Sequence, residues 1–325
     1  MSCRVCIPCA GIGSRLGNLT QFINKSLVSI ANRPTLSHII EKFPSDTEFV
    51  IALGYKGNLI REFLHLAYPK RQFYFSVVSP YEGPKSGLGL SLQSCKEYLQ
   101  QPFIFISCDT LVEEKIPSPD ENWMGYAETV DLNQYRTIRL SEKKVIAINE
   151  KENSSSMRDK AYIGLAGIRD YKQFWRAMEE GSEIADIIGE AYGLRALIPK
   201  IKAYSFTWHD MGNPKELKKT RLHFSKPEEP NILEKHNEAI WFVDEKVIKF
   251  SDDLDFISNR IKRVKHLEGF VQEITGTRAH MYRYSKVQGK ILSEVVTLKL
   301  FEDLLKHASK FWAHKKLSPQ DEKLF

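Results

Sequence analysis

No stretch of the sequence reaches the roughly eighteen consecutive apolar residues that a membrane-spanning helix needs, so no such span is expected. The opening residues, MSCRVCIPCAG, lack the basic segment and long apolar core of a secretory signal, which points to a cytoplasmic protein. Neither sign of charge dominates, with 47 basic and 41 acidic residues. A net +6 over 325 residues does not call for nucleic acid, and it suits a protein handling phosphorylated small molecules. Cysteine is sparse and odd in number, five in all. Cys3, Cys6 and Cys9 are spaced like part of an iron–sulfur run, but a fourth ligand is missing nearby. Three-residue steps along a strand also put alternate residues on opposite faces. Buried free thiols in a reducing compartment are the expectation. The dinucleotide fingerprint GxGxxG is not met, because Leu16 follows Arg15, and no lysine follows the glycines directly as in a GK[ST] loop. What is plentiful is core material: 42% hydrophobic and 11% aromatic residues, over a length that suits one large domain or two.

The stretch Arg4 to Leu27 organises the chain. An apolar run, RVCIPCA, reads as a buried strand. Gly11 and Gly13 then let the backbone turn sharply and approach a ligand, and successive N–H groups in such a turn attract anions. Arg15 adds a planar fork suited to phosphate oxygens, and Lys25 a point-like charge. Read alone, the glycine pair serves an ordinary strand-to-helix turn equally well. Beyond it, helical spacing over 34–43 and 58–66 alternates with apolar runs at 48–54 and 72–78, which predicts a doubly wound α/β sheet. Ligands of such sheets sit at the carboxyl ends of strands. Residues 79–92 form a second glycine-rich loop leading into a helix. FIFISCD, residues 103–109, is a strand ending in Asp109. A carboxylate there beside a phosphate loop suits magnesium, which takes one or two carboxylates plus phosphate oxygens; it could instead cap the following turn. A strand with Glu150-Lys151 at its end follows, then a strand over 161–168, a helix over 183–193, and the segment IKAYSFTWHDMGNP.

AGIGSRL followed by NKSL resembles the opening AGxGxRL and Pro-Lys pair of the sugar nucleotidyltransferase (nucleoside diphosphate sugar pyrophosphorylase) family, with Asn24 in the proline position. Three later segments match in order: the strand ending in Asp109, the EK of an EKP motif with Glu152 for proline, and WHDMGN for W-x-D-x-G-T/S. The resemblance covers roughly residues 4–224. It implies a Rossmann-like mixed sheet of the GT-A-like kind. It also implies nucleotide binding by Ala10, Gly11, Gly13, Ser14 and Arg15, with Gly87 and Leu88 closing over base and ribose. Glu150, Lys151 and Gly164 would bind the acceptor, and Asp109 and Asp210 would hold Mg2+. Arg15 and Lys25 would be the catalytic cations. His209, between matched residues, reads as packing or as support behind a site residue. The implied reaction moves a nucleoside monophosphate, CMP or UMP favoured, from a triphosphate to a phosphorylated small-molecule acceptor. That acceptor is a sugar 1-phosphate for surface-polysaccharide synthesis or a small alcohol phosphate such as phosphocholine. A non-catalytic nucleotide-sugar-binding regulator is the alternative. A metal-dependent glycosyltransferase would carry a DxD pair, and Cys108-Asp109-Thr110-Leu111 is not one. No nucleic-acid or membrane partner is expected, and a homo-oligomer is allowed.

SKPEEPN, residues 225–231, reads as a linker dividing a transferase domain (1–227) from a second unit (228–325). EAIWFVDEKVIKF predicts a hairpin, residues 255–267 a helix whose Arg260, Lys262, Arg263 and Lys265 form a solvated face, and the region 302–314 a last helix. This part resembles the small α+β lobe of choline and aminoglycoside kinase-like phosphotransferases. That likeness implies a nucleotide-phosphate role for Lys249 and a hinge at MYRYSKVQGK. No glycine-rich loop precedes the hairpin, and no HxDxxxxN or DFG-like acid follows, so the chain as given is not a working kinase of that design.

Overall fold

The computed structural model describes residues 3–128, 132–151, 158–184, 189–226, 230, 232–311 and 318. Alternating apolar runs and amphipathic segments build the first half. β1 (Arg4–Pro8) leads through the glycine turn to a short ribbon, β2 (Ser29–Ile30) with β3 (Arg33–Pro34), and then α1 (Thr35–Ile40). β4 (Glu48–Leu53), α2 (Gly57–Ala67), β5 (Phe73–Val77), α3 (Leu88–Gln93) and β6 (Phe103–Ile106) follow. β7 (Thr110–Val112), β8 (Trp123–Ala127), β9 (Thr137–Ser141), β10 (Lys144–Asn149) and β11 (Asp159–Ile168) lead to α4 (Tyr171–Ile184) and α5 (Glu190–Arg195). β12 (Lys202–Ser205), β13 (Trp208–Asp210) and α6 (Pro214–Phe224) complete this part.

Among the described residues, nine strands form one mixed sheet in the order β5-β4-β1-β6-β11-β8-β12-β10-β9, and β11 also pairs with β9. β5, β4, β1 and β6 run parallel, and β11 enters antiparallel between β6 and β8. The parallel strands are apolar on both faces because helices cover both. Val5 and Ile7 pack into one buried cluster and Cys6 into the other. Cys9 joins the face opposite Cys6, so the three amino-terminal cysteines do not converge, and all five thiols are free.

The helix expected over 183–193 is not one element. Its first residues end α4, whose Phe174, Trp175 and Met178 are buried, while α5 starts afresh after Gly189, which is extended (φ −106°, ψ 177°). Residues 185–188 lie outside the described set. The strands β8 and β9 are additions to the sequence reading.

The remaining elements are β14 (Glu238–Val243), β15 (Lys246–Ser251), α7 (Leu254–Val264), β16 (Ile274–Thr277), β17 (Met281–Ser285), α8 (Leu292–Val295) and α9 (Leu298–Ala308). The expected hairpin is β14–β15, in an antiparallel sheet ordered β14-β15-β17-β16. α9 starts earlier than residue 302, because Thr297 caps it by accepting from Leu300 N–H, and residues 312–314 lie outside the described set. So does most of the linker, residues 227–229 and 231. The small sheet packs on α2: Trp241 is wholly buried, with its ring edge-on to Phe63 at 5.3 Å. Glu62 accepts from His280 N–H at 2.9 Å, Arg283 donates to Leu66 O at 2.8 Å, and Trp241 Nε1 donates to Ser29 Oγ at 3.0 Å. Trp241, Ile248, Phe250 and Met281 thus share one continuous apolar cluster with Phe63 and Leu64. Among the described residues, no helix is long and apolar enough to cross a membrane.

Candidate active site

At the carboxyl ends of β1 and β6 the chain leaves a cleft of about 410 Å³. Its walls include Ala10, Gly11, Arg15, Lys25, Gly87, Leu88, Asp109, Lys151, Gly164 and Asp210. Ten of the positions singled out in the sequence therefore meet in one place. Gly13, Ser14 and Glu150 are not among the lining residues.

The glycine turn earns its composition through a close approach. Gly13 is left-handed (φ +73°), and a Cβ there would sit 2.9 Å from Lys25 Cβ, so the turn packs directly on the Lys25 side chain. Asn24, which departs from the family's proline, is wholly buried and caps the turn carrying Lys25. Its amide donates to Cys9 O at 2.9 Å and Tyr55 O at 2.8 Å, and its oxygen accepts from Ser26 N–H and Ser26 O–H, both at 2.9 Å. The side chain does by hydrogen bonding what a proline does by fixing φ.

Lys25 Nζ lies 3.0 Å from Asp109 Oδ2. Burial works against charge on both groups, but the pair outweighs it: Lys25 is raised above the ordinary lysine value, and Asp109 is held below the usual carboxylate range with help from Arg15. The second acid arrives through the ribbon β7–β13, where Asp210 stands opposite Thr110, the residue after Asp109. Asp210 Oδ1 accepts from Gly212 N–H at 2.8 Å and Oδ2 from the Tyr135 hydroxyl at 2.9 Å. Its pKa is raised, first by burial and then by the neighbouring charge of Asp109, against Gly212, Tyr135 and Arg15. A Cβ on Gly212 would fall 3.0 Å from the Arg15 guanidinium and 3.1 Å from Asp210 Oδ1, so cation and acid close on the same glycine. Two carboxylates with space for phosphate oxygens form a donor set that suits magnesium. Lys151 also lines an adjoining hollow with Arg15, Tyr135 and Asp210.

Gly164 lies where the β11–β8 ladder shifts register, with φ +70°. Its carbonyl accepts from Ser107 N–H at 2.8 Å, and a Cβ would come within 2.4 Å of Ser107 Oγ.

Several lining residues carried no sequence signal: Ser107, Tyr135, Arg136, Tyr162 and Glu190. Arg136 joins two acids, donating to Glu190 at 3.1 Å and to Glu150 at 3.1 Å. Glu150 also pairs with Arg195. Burial pushes the Glu190 carboxyl up, against the pull of Arg136, and among the described residues its Oε2 has no hydrogen-bond partner. The Tyr162 hydroxyl and Trp208 Nε1 are likewise buried without one.

No protein-family model matches the chain. The bifunctional protein GlmU of Methanococcus vannielii is 28% identical over 240 residues, which is 70% of this chain and 56% of that protein. The chain thus spans about half the length of the curated relatives it matches. Among solved structures, a UDP-glucose pyrophosphorylase complexed with UDP-glucose superposes with a TM-score of 0.57 at 19% identity, covering 69% of this chain and 98% of the other. The CTP:phosphocholine cytidylyltransferase of Streptococcus pneumoniae gives 0.55 at 15% identity, covering 69% and 100%. The chain is thus similar in sequence to these GlmU proteins and shares its fold with these two solved enzymes.

Proposed function

We propose that the chain transfers a nucleoside monophosphate, CMP or UMP favoured, from its triphosphate to a sugar 1-phosphate. Pyrophosphate is released, and the product is an activated precursor for surface-polysaccharide synthesis made in the cytoplasm. The observation that carries this reading is the meeting of Arg15, Lys25, Lys151, Asp109 and Asp210 at one cleft. An acceptor phosphate oxygen attacks the α-phosphorus, and the bond from that phosphorus to the bridging oxygen of pyrophosphate breaks. The nucleophile is already an anion, so no strong base is needed; the obstacle is repulsion among phosphate oxygens. Arg15 meets the β- and γ-phosphates, and Lys151 meets the acceptor phosphate. Lys25 exchanges its bond to Asp109 for one to the α-phosphate. Asp109 and Asp210 would hold Mg2+, which when bound neutralises phosphate charge. Ala10, Gly11, Gly87 and Leu88 take the nucleotide, and Gly164 keeps the acceptor wall free of a side chain. Gly13 and Ser14 shape the turn, and Glu150 acts at one remove by fixing Arg136. Residues 1–227 form the transferase unit and 228–325 a second unit, like the small lobe of a phosphotransferase, that braces it through α2.

A second acceptor class, phosphocholine, is favoured by the ring pair Tyr135–Trp208, edge-on at 4.9 Å, in the same cleft. Aromatic faces are suited to a quaternary ammonium. One experiment tests both: pyrophosphate release, with four nucleoside triphosphates crossed against sugar 1-phosphates and phosphorylated amino alcohols in Mg2+. Turnover with one acceptor class is expected, and none with any pair overturns the proposal. Asp109→Ala is expected to lower turnover at least about a hundredfold with modest loss of stability. Wild-type-like turnover in that variant removes Asp109 from the mechanism.

A further inference from the structure

The ribbon that delivers Asp210 to the cleft carries different chemistry on its other face. Successive strand residues point to opposite sides, so His209 faces away from Trp208 and Asp210. There it meets Glu113, just past the end of β7, and His223, in the last turn of α6. His209 Nε2 and His223 Nε2 each lie 2.8 Å from the same oxygen, Glu113 Oε1, and the three ligand atoms fall within 4.8 Å of one another. The two imidazole rings are 4.3 Å apart between centroids, inclined by 31°.

We propose that Glu113, His209 and His223 form a second metal site, separate from the cleft, for a divalent ion of the zinc type. Hydrogen bonding alone accounts poorly for the arrangement. Two ring nitrogens converge on one carboxylate oxygen, and the two rings lie almost in contact. A cation between them turns this crowding into coordination. Tetrahedral zinc holds nitrogen at about 2.0–2.1 Å and carboxylate oxygen at about 2.0–2.2 Å, so its donors stand roughly 3.3 Å apart. Each imidazole nitrogen, 2.8 Å from Glu113 Oε1, need move only about 0.5 Å from that oxygen to reach the spacing. The surroundings hold them in place. Phe224 packs edge-on to both rings at 5.1 Å. Lys42 Nζ donates to the backbone carbonyl of Glu113 at 2.6 Å, leaving Oε1 to the imidazoles. Three protein ligands leave a fourth position open, and Glu113 and His223 border a hollow of about 350 Å³ that can admit water or a small anion.

Two imidazoles and a carboxylate select zinc-like ions, whereas magnesium prefers all-oxygen sites, so the two acids of the cleft and this cluster would not compete for one metal. The ion would cross-link the end of α6 to the β7–β13 ribbon. α6 is already tied to the strand end, since Thr220 Oγ1 donates to Asp210 O at 3.2 Å. The metal is thus a clamp on the element that positions Asp210.

The test uses the full chain stripped with EDTA and held above neutral pH, where imidazole is unprotonated, in excess Mg2+. Titration calorimetry with Zn2+ should give one tight equivalent per chain, and Co2+ should give the visible absorption of a four-coordinate ion. His223→Ala and Glu113→Gln should each weaken Zn2+ binding at least about tenfold and abolish the Co2+ bands. Both residues are exposed, so the variants should match the wild type in circular dichroism and in melting without metal. Added Zn2+ should then raise the melting temperature of the wild type alone. Absence of a tight equivalent in excess Mg2+ overturns the proposal. So does a His223→Ala variant that binds Zn2+ as the wild type does, which would place the ion on the buried thiols instead.

Discussion

Asn24 offers the sharpest way to separate the support of the site from the site itself. Its side chain makes four hydrogen bonds in a wholly buried setting, to Cys9 O, Tyr55 O, Ser26 N–H and Ser26 O–H. At about 1 kcal/mol for each bond, and allowing for some entry of water, Asn24→Ala should destabilise the protein by about 3 kcal/mol. The loss would also free the turn that presents Lys25, so turnover should fall together with stability. Asn24→Pro provides the contrast. The backbone at 24 has φ −71° and ψ 149°, already within the range that proline imposes. The proline variant forfeits the same side-chain bonds but keeps the backbone fixed ahead of Lys25, so it should be about as unstable as Asn24→Ala yet retain more turnover. The measurements are urea unfolding followed by tryptophan fluorescence, and pyrophosphate release under conditions where each variant is folded. A stability change below about 0.5 kcal/mol in Asn24→Ala, half of a single bond, would refute the reasoning.

Glu190 is expected to make the protein less stable as pH rises. Its folded pKa lies above the unfolded value of about 4.3, so the native state keeps a proton that the unfolded chain releases, and stability declines from about pH 4 through the folded pKa. Glu190→Gln should remove that decline, and parallel stability curves for variant and wild type across the interval would refute it. Gly164→Ala should cost about 1–2 kcal/mol for its left-handed backbone, with more from contact with Ser107, as read in urea; an unchanged midpoint would refute the close approach. Trp241→Ala should cost about 3–5 kcal/mol and leave a single transition, because the small sheet shares the core of the large one. A separate early transition for residues after 231 would show the two sheets to be independent.

Much of the site was legible because its residues sit where apolar strands run into glycine or acid, as at Gly11 and Asp109. A pattern of that kind is local, and so is the physics behind it. What stayed hidden depends on partners far apart in the chain. Arg136, just before β9, and Glu190, at the start of α5, meet across 54 residues with no shared motif. β8, WMGYA, lacks clear alternation and holds Gly125, which weakens a strand signal, yet it is buried because Phe206 and Ile163 crowd that glycine. Asn24 looked like a flaw in a proline motif and is a buried cap instead. His209 read as packing because His223 lies on another element, and neither residue indicates alone that the two rings meet.

The place of β12 in the main sheet has a consequence for how the protein is made. β12 lies between β8 and β10, and both leave the ribosome before it does. Throughout synthesis of α4 and α5, β8 therefore offers a bare edge, and the β9–β10 hairpin is joined to the sheet through β11. An unpaired edge invites strands from other chains. Nascent chains stalled before residue 202 should accordingly be the ones that associate with each other, and completion of four residues, Lys202–Ser205, closes the gap.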